Sequence, residues 1–161
     1  MESNEKQFKL CMQLAENYCI QREYCHSEIK DKLKKHGYDN AIIEMTLNNL
    51  QQNNFINEER YASAYVHDKF KLKKWGKMKI RQMLRNKKIP ESVIENALLS
   101  VDQTEYKKMV EKIISQKSDT LTEKNFLRRK QKLIAYALSK GYEKSIVWEV
   151  LNEWMNSQET S

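Results

Sequence analysis

Residues 29–50 read IKDKLKKHGYDNAIIEMTLNNL, in which apolar side chains recur at helical spacing on both sides of a glycine. Spacings of three and four residues are typical of amphipathic helices, and Gly37 suits a sharp turn between two of them. The same pattern recurs at residues 80–101, and from the turn onward it recurs again at residues 141–154. The chain is therefore built on an internal repeat.

Each copy follows a further stretch of helical periodicity, so the repeating unit has three helices. These preceding helices are predicted at about residues 5–21, 58–73 and 104–115. We predict an all-α protein, a tandem array of three three-helix units that is elongated or curved. The predicted units are residues 1–55, 56–103 and 104–161. Because three short helices enclose little apolar core, neighbouring units are expected to support one another.

The turns between paired helices predict local backbone conformation. Gly37 and Gly141 lie where a helix must end, so both are expected in the left-handed conformation that glycine adopts at low cost. The middle copy has Lys88 at this position, and its turn is predicted to have a different shape. Asn57 precedes two glutamates, which predicts a capped helix start with an acidic first turn.

Composition excludes several classes of protein. With only three glycines and one proline in 161 residues, a sandwich or barrel of many turns is not expected. No apolar run approaches the roughly 20 residues of a membrane span, and the first residues lack an apolar signal, so a cytoplasmic protein is expected. Three cysteines without a C-x-x-C pair predict neither a disulfide framework nor a metal site.

Positive charge is segregated along the chain, whose net charge is +7. Residues 67–88 contain eight lysines and two arginines against one acid, and residues 124–140 contain six basic residues and no acid. Four of these side chains step along one helical face: Lys77, Arg81, Arg85 and Lys88. Such a stripe is suited to a phosphate backbone or to an acidic protein groove.

Trp75 lies beside a glycine at a helix junction and has two possible roles. It either stacks on a base or a partner side chain, or it packs in the core. Trp148 and Trp154 are assigned to core. The three histidines lie far apart, and no nucleophile, phosphate-binding loop or paired carboxylates accompany them. We therefore predict no catalytic residue, no cofactor and no enzyme activity.

A helix-turn-helix regulator is a rival interpretation, because the spacing of Ala137, Gly141 and Val147 resembles that motif. The helix that would read bases carries three glutamates against one lysine, and phosphates would repel it. The glycine turn is therefore interpreted as packing geometry.

The segments NEERYA (57–62) and WGKMKIRQMLRNKKI (75–89) resemble the central signature of the RecX family, the bacterial regulators of RecA recombinase. In that family an acidic pair precedes arginine, an aromatic residue and alanine, and a glycine opens a helix that reads Ile-Arg-x-x-Leu. The family often has glycine where this chain has Lys88. The likeness extends over most of the chain, including the three-unit layout.

The resemblance implies a protein that binds the RecA–DNA filament. We expect a monomer whose partners also include single- and double-stranded DNA. It implies lower strand exchange, ATP hydrolysis and coprotease action, and hence regulation of recombination, DNA repair and the SOS response. Two alternatives remain: an independent, sequence-tolerant nucleic-acid-binding protein, and a general protein scaffold. Arg60 has a second interpretation, a clamp on a neighbouring helix. The partner-binding residues expected from the resemblance and the basic stripes are Arg60, Lys74, Lys77, Lys79, Arg81, Arg85, Lys88, Arg128, Arg129 and Lys132.

Overall fold

The computed structural model describes residues 3–159, which form nine helices and no strand. The predicted all-α class is confirmed. No helix within this range has both the length and the apolar character that a membrane crossing requires. The helices are α1 (Asn4–Gln21), α2 (His26–Lys35), α3 (Asn40–Gln52), α4 (Glu58–Lys71), α5 (Lys77–Asn86), α6 (Glu91–Leu99), α7 (Gln103–Thr120), α8 (Phe126–Ser139) and α9 (Lys144–Glu159).

The described residues fall into two compact units. The first comprises those up to Ala64 together with Leu84–Ile94. In it α1 packs against α2 and α3, and the apolar stripes of all three helices meet in one core. The core includes Cys11, Ala15, Ile29, Leu33, Ile43, Leu47 and Leu50, each fully buried.

The second unit comprises Tyr65–Met83 and the described residues from Glu95 onward. Here α7 packs against α8 and α9. Three aromatic rings continue this core, because the ring centroids of Phe70 and Tyr106 are 5.8 Å apart and those of Tyr106 and Tyr142 are 5.1 Å apart. All three rings are buried, and because buried aromatic rings remove a large apolar area from water, they stabilise the unit.

The three turns between paired helices share one conformation. Gly37 has φ +88° and Gly141 has φ +98°, which confirms the prediction for both glycines. Lys88 also adopts a left-handed φ of +60°, so the predicted difference in turn shape is wrong. Two hydrogen bonds hold Lys88 there, its own N–H to the Arg85 carbonyl and the Ile89 N–H to the Leu84 carbonyl, at 2.9 and 3.2 Å. Equivalent bonds close the two glycine turns.

Two further expectations need correction. Helix α7 does not end near residue 115 but runs to Thr120. The polar last turn is stabilised by a side chain of α8, because Arg129 donates to both the carbonyl and the hydroxyl of Ser118 at 2.6 Å. Trp148 is not a core residue, because its side chain is 39% exposed and the Lys130 ammonium lies 5.0 Å from its ring centroid.

Candidate functional site

In the second compact unit, the loop between α4 and α5 is bonded to the loop between α8 and α9. The Gly76 N–H donates to the Lys140 carbonyl at 2.8 Å, and the Met78 N–H donates to the Gly141 carbonyl at 2.9 Å. At the start of α5, two backbone donors that the helix itself leaves free are therefore satisfied by another part of the chain. These bonds join the second repeat to the third, as expected if successive repeats support one another.

Two buried tyrosines hold the same loop from within the core. The Tyr142 hydroxyl donates to the Lys74 carbonyl at 2.9 Å. The Tyr106 hydroxyl accepts from the Lys77 N–H at 2.9 Å and donates to the Glu143 carboxylate at 2.8 Å. Burial raises the pKa of both phenols, so both remain neutral donors across the physiological range.

The fixed loop carries a tryptophan with basic side chains around it. The ammonium groups of Lys69 and Lys79 lie 5.0 and 4.5 Å from the centroid of the half-buried Trp75 ring. These are cation–π distances. The neighbouring loop residues and the end of α8 add further lysines. We call this set the Trp75 cluster, which comprises Lys69, Lys73, Lys74, Trp75, Lys79 and Lys140.

The five lysines of the Trp75 cluster have no carboxylate partner in the part of the chain that the structure describes. Across residues 3–159, no carboxylate forms an ion pair with any of its five lysines. The Lys74 ammonium donates to the Gln116 side-chain oxygen at 3.1 Å, and the Lys140 ammonium reaches the Lys73 carbonyl at 3.5 Å. Both acceptors are neutral, so the cluster keeps its full positive charge and attracts anions.

The arginines of the predicted stripe, unlike the lysines of the Trp75 cluster, pair with carboxylates. In the second unit, Arg81 binds Glu95 through two guanidinium nitrogens, at 2.7 and 3.3 Å. In the first unit, Arg85 binds Glu91 in the same way, its Nη2 at 3.2 Å. Both acids belong to α6, beyond the basic run of the sequence. The stripe is therefore partly compensated.

The lysines that flank these arginines also differ in environment. The Lys77 ammonium lies 5.0 Å from the centroid of the Tyr106 ring in the second unit. Lys88, in the first unit, is exposed in its left-handed turn. Lysines 74 and 79 are the predicted site residues that the structure brings together at Trp75.

Arg60 acts as a clamp within the first unit. Its guanidinium donates to the Glu23 carboxylate at 2.7 Å and to the carbonyls of Asn54 and Phe55 at 3.2 and 3.3 Å. Its backbone N–H is capped by the Asn57 side chain at 2.9 Å, which confirms the predicted cap. These contacts fit the clamp interpretation of Arg60, since the guanidinium is engaged by acceptors of its own chain.

The basic residues of α8 divide into structural and exposed side chains. The Arg129 guanidinium donates to Ser118 and to the carbonyls of Leu121 and Glu123, so it stabilises the end of α7. Lys132 pairs with the Glu123 carboxylate at 3.4 Å. Arg128 is exposed. Of these three predicted contacts, Arg128 has the side chain that is most available to a partner.

Metal-ligating side chains do not gather in the described part of the chain, where no group of three or more histidines, cysteines and acids has suitable geometry. Cys11, Cys19 and Cys25 are free thiols. Burial raises the pKa of all three thiols, which favours the neutral, unreactive form.

Comparison with known proteins gives two family-model matches that follow the repeat. The model described as the RecX first three-helix domain matches residues 11–50, and the model described as the RecX second three-helix domain matches residues 57–98. The predicted boundaries at 55/56 and 103/104 remain a prediction.

Relatives and solved structures agree with these matches. The regulatory protein RecX of Clostridium botulinum strain Alaska E43 is 34% identical over 131 residues, which cover 80% of this chain and 61% of that protein. The Clostridium tetani protein of the same name is 33% identical over 141 residues, 86% of this chain and 64% of that protein. The chain thus spans about three fifths of the length of these relatives.

The crystal structure of RecX from Lactobacillus salivarius has the same fold, with a TM-score of 0.86 at 20% identity over 93% of this chain and 97% of that one. A second RecX crystal structure gives a TM-score of 0.87 at 24% identity over 92% of this chain and 73% of that one. The fold thus defines an all-helical protein of repeated three-helix units. The chain belongs to the RecX family.

Proposed function

We propose that the chain is a non-enzymatic regulator that inhibits RecA recombinase filaments on DNA. Family membership supports this, because the relatives are named regulatory protein RecX. In this proposal the protein acts in the cytoplasm as a monomer, and it regulates recombination, DNA repair and the SOS response by limiting the active filament.

The observation that carries the proposal is the uncompensated charge of the Trp75 cluster. A nucleoprotein filament is a polyanion, and lysines that approach phosphates release condensed counterions, which supplies sequence-independent binding energy. The cluster gathers five ammonium groups around the loop between α4 and α5, where hydrogen bonds from the α8–α9 loop and from Tyr106 of α7 hold the backbone. Such a surface is suited to both single- and double-stranded DNA within the filament.

The experiment is ATP hydrolysis by a preformed RecA filament on single-stranded DNA. With this protein added well below the RecA concentration, we expect hydrolysis to slow and to recover when the protein is diluted or displaced. If hydrolysis stays at the rate without the protein at every ratio up to equimolar, the proposed inhibition is wrong.

A second candidate function is independent, sequence-tolerant nucleic-acid binding, which the same uncompensated lysines favour. It predicts binding to DNA without recombinase, with an affinity that falls steeply as salt increases. Measuring the affinity for DNA alone across salt concentrations, beside the filament assay, separates the two functions. Inhibition of the filament would support the first function, whereas tight, salt-sensitive binding to DNA without inhibition would support the second.

A further inference from the structure

We infer that Trp75 is a stacking site for one unpaired base of single-stranded DNA. This inference rests on the proposed function, because it specifies which form of the polyanion the Trp75 cluster binds and through which side chain. Trp75 is half-buried, so its ring is supported by the fold while part of it stays open to solvent.

The groups around the ring match the alternation of a nucleic-acid strand. Lys69 and Lys79 place ammonium groups 5.0 and 4.5 Å from the ring centroid, and Lys73 and Lys74 precede the tryptophan directly. In a single strand each base is flanked by phosphates, so an aromatic ring with exchangeable cations over it fits both parts of the nucleotide. A base that stacks on the indole displaces the Lys69 and Lys79 ammonium groups from the ring, and these groups can then bind the neighbouring phosphates.

The backbone that carries the ring is also held in place before any ligand binds. The Trp75 N–H donates to the Lys69 carbonyl at 3.0 Å, and the adjacent Gly76 N–H donates to the Lys140 carbonyl at 2.8 Å. The preceding carbonyl, that of Lys74, accepts from Tyr142 at 2.9 Å. A side chain on a fixed backbone loses little conformational entropy on binding, which favours it as a recognition element.

The same features favour a single strand over a duplex and over a peptide. Bases within a duplex already stack on each other, so a duplex offers the indole no free base face without unstacking. A peptide that covered Trp75 would bring the five lysines of the Trp75 cluster next to a chain without regularly spaced negative charges. An unpaired base can stack on the indole ring while its phosphates attract the lysine ammonium groups.

The test compares Trp75→Leu with the unaltered chain on two probes: oligothymidylate, and an abasic oligonucleotide of the same length and charge. Removing a stacking aromatic side chain costs about 1–3 kcal/mol per base, so we expect Trp75→Leu to weaken oligothymidylate binding roughly 5- to 140-fold. Binding to the abasic strand is expected to stay the same. Trp75→Phe, which keeps an aromatic face, is expected to retain most of the preference for oligothymidylate.

Three results would overturn the inference: equal affinity of the unaltered chain for both probes, an equal loss on both probes in Trp75→Leu, or no loss on oligothymidylate. An equal loss would indicate that Trp75 only supports the loop. If Trp75→Leu does not fold, a Trp148→Phe, Trp154→Phe variant reports on Trp75 alone. Its fluorescence should then be quenched by oligothymidylate and not by the abasic strand. The probes contain no recombinase, so failure here leaves the filament assay of the proposed function to be decided separately.

Discussion

Gly76 and Gly141 approach so closely that a Cβ atom built on Gly76 would lie 2.3 Å from the carbonyl carbon of Gly141. Gly141 is equally crowded, because a Cβ built on it would lie 2.3 Å from the Cβ of Lys79 in α5. Both obstacles are backbone or the first side-chain carbon, which have no freedom to move aside. The contact between the two loops that carries the Trp75 cluster therefore requires glycine on both sides.

Gly76→Ala is expected to destabilise the second unit by about 1–3 kcal/mol or more, because the added methyl group overlaps backbone atoms. Gly141→Ala should cost more, since it adds the strain of a left-handed alanine at φ +98° to the overlap. Gly37→Ala is the matched control, because nothing lies within 4 Å of its added Cβ and only the conformational strain applies. Denaturant unfolding measures each free energy. A Gly76→Ala protein as stable as the unaltered chain would contradict the close contact.

Lys88→Gly is expected to stabilise the protein by about 1 kcal/mol, because Lys88 is a non-glycine residue at φ +60°. Lys88→Ala is the control, since it removes the same charge and keeps the Cβ atom. Thermal or denaturant unfolding compares the three proteins. If alanine stabilises as much as glycine, the gain comes from charge removal and the conformational argument fails.

Glu28 links stability to pH in the first unit. Burial opposes its ionisation, but the Cys25 N–H at 3.0 Å and the Lys87 ammonium at 3.1 Å outweigh burial and hold the pKa of Glu28 below its usual value. A lowered folded-state pKa gives stability that is present above the unfolded-state value of about 4.3 and is lost as pH falls through the folded-state value.

Glu28→Gln is therefore expected to cost about 1–2 kcal/mol at neutral pH, with a difference from the unaltered chain that closes below about pH 4. Urea unfolding across pH measures it. Glu44→Gln is the control, because Glu44 pairs with Lys30 at the surface, where an ion pair contributes little. A penalty for Glu28→Gln that stays constant down to low pH would contradict the assigned role of the carboxylate.

Glu95→Gln is expected to raise the affinity for DNA and to steepen its salt dependence by about one counterion, because the variant releases the Arg81 guanidinium from a carboxylate. Glu149→Gln is the matched control: it removes the same charge from the Lys107 pair on α7 and α9. Equal effects of the two variants would show that net charge alone matters. Titration at several salt concentrations distinguishes these outcomes.

The helices were predictable from the sequence because their periodicity is a local property. The spacing around Gly37 and Gly141 also indicated the left-handed turns, since few residues other than glycine adopt that conformation at low cost. The turn at Lys88 was not predicted, because hydrogen bonds from its own N–H and from the Ile89 N–H hold the left-handed conformation despite the side chain. Backbone bonding of this kind leaves no sequence signal.

The charged residues were the harder part of the site to predict. Arg81 and Arg85 lie in a run almost without acids, yet their carboxylate partners on α6 lie 14 and 6 residues further along the chain. The two glutamates of α6 follow this run closely in the sequence, but a charge count limited to residues 67–88 did not include them. The role of Arg129 depends on three carbonyl groups and a hydroxyl, which only the folded loop brings together.

We propose that the uncompensated lysines of the Trp75 cluster bring the protein to an anionic filament. This is tested by comparing inhibition of RecA ATP hydrolysis by Lys73→Glu, Lys79→Glu with inhibition by Lys108→Glu, Lys112→Glu, which makes the same change of charge on α7. We expect the first variant to need roughly 10-fold more protein for half-inhibition, whereas the second should inhibit like the unaltered chain. Equal inhibition by the two variants would contradict it.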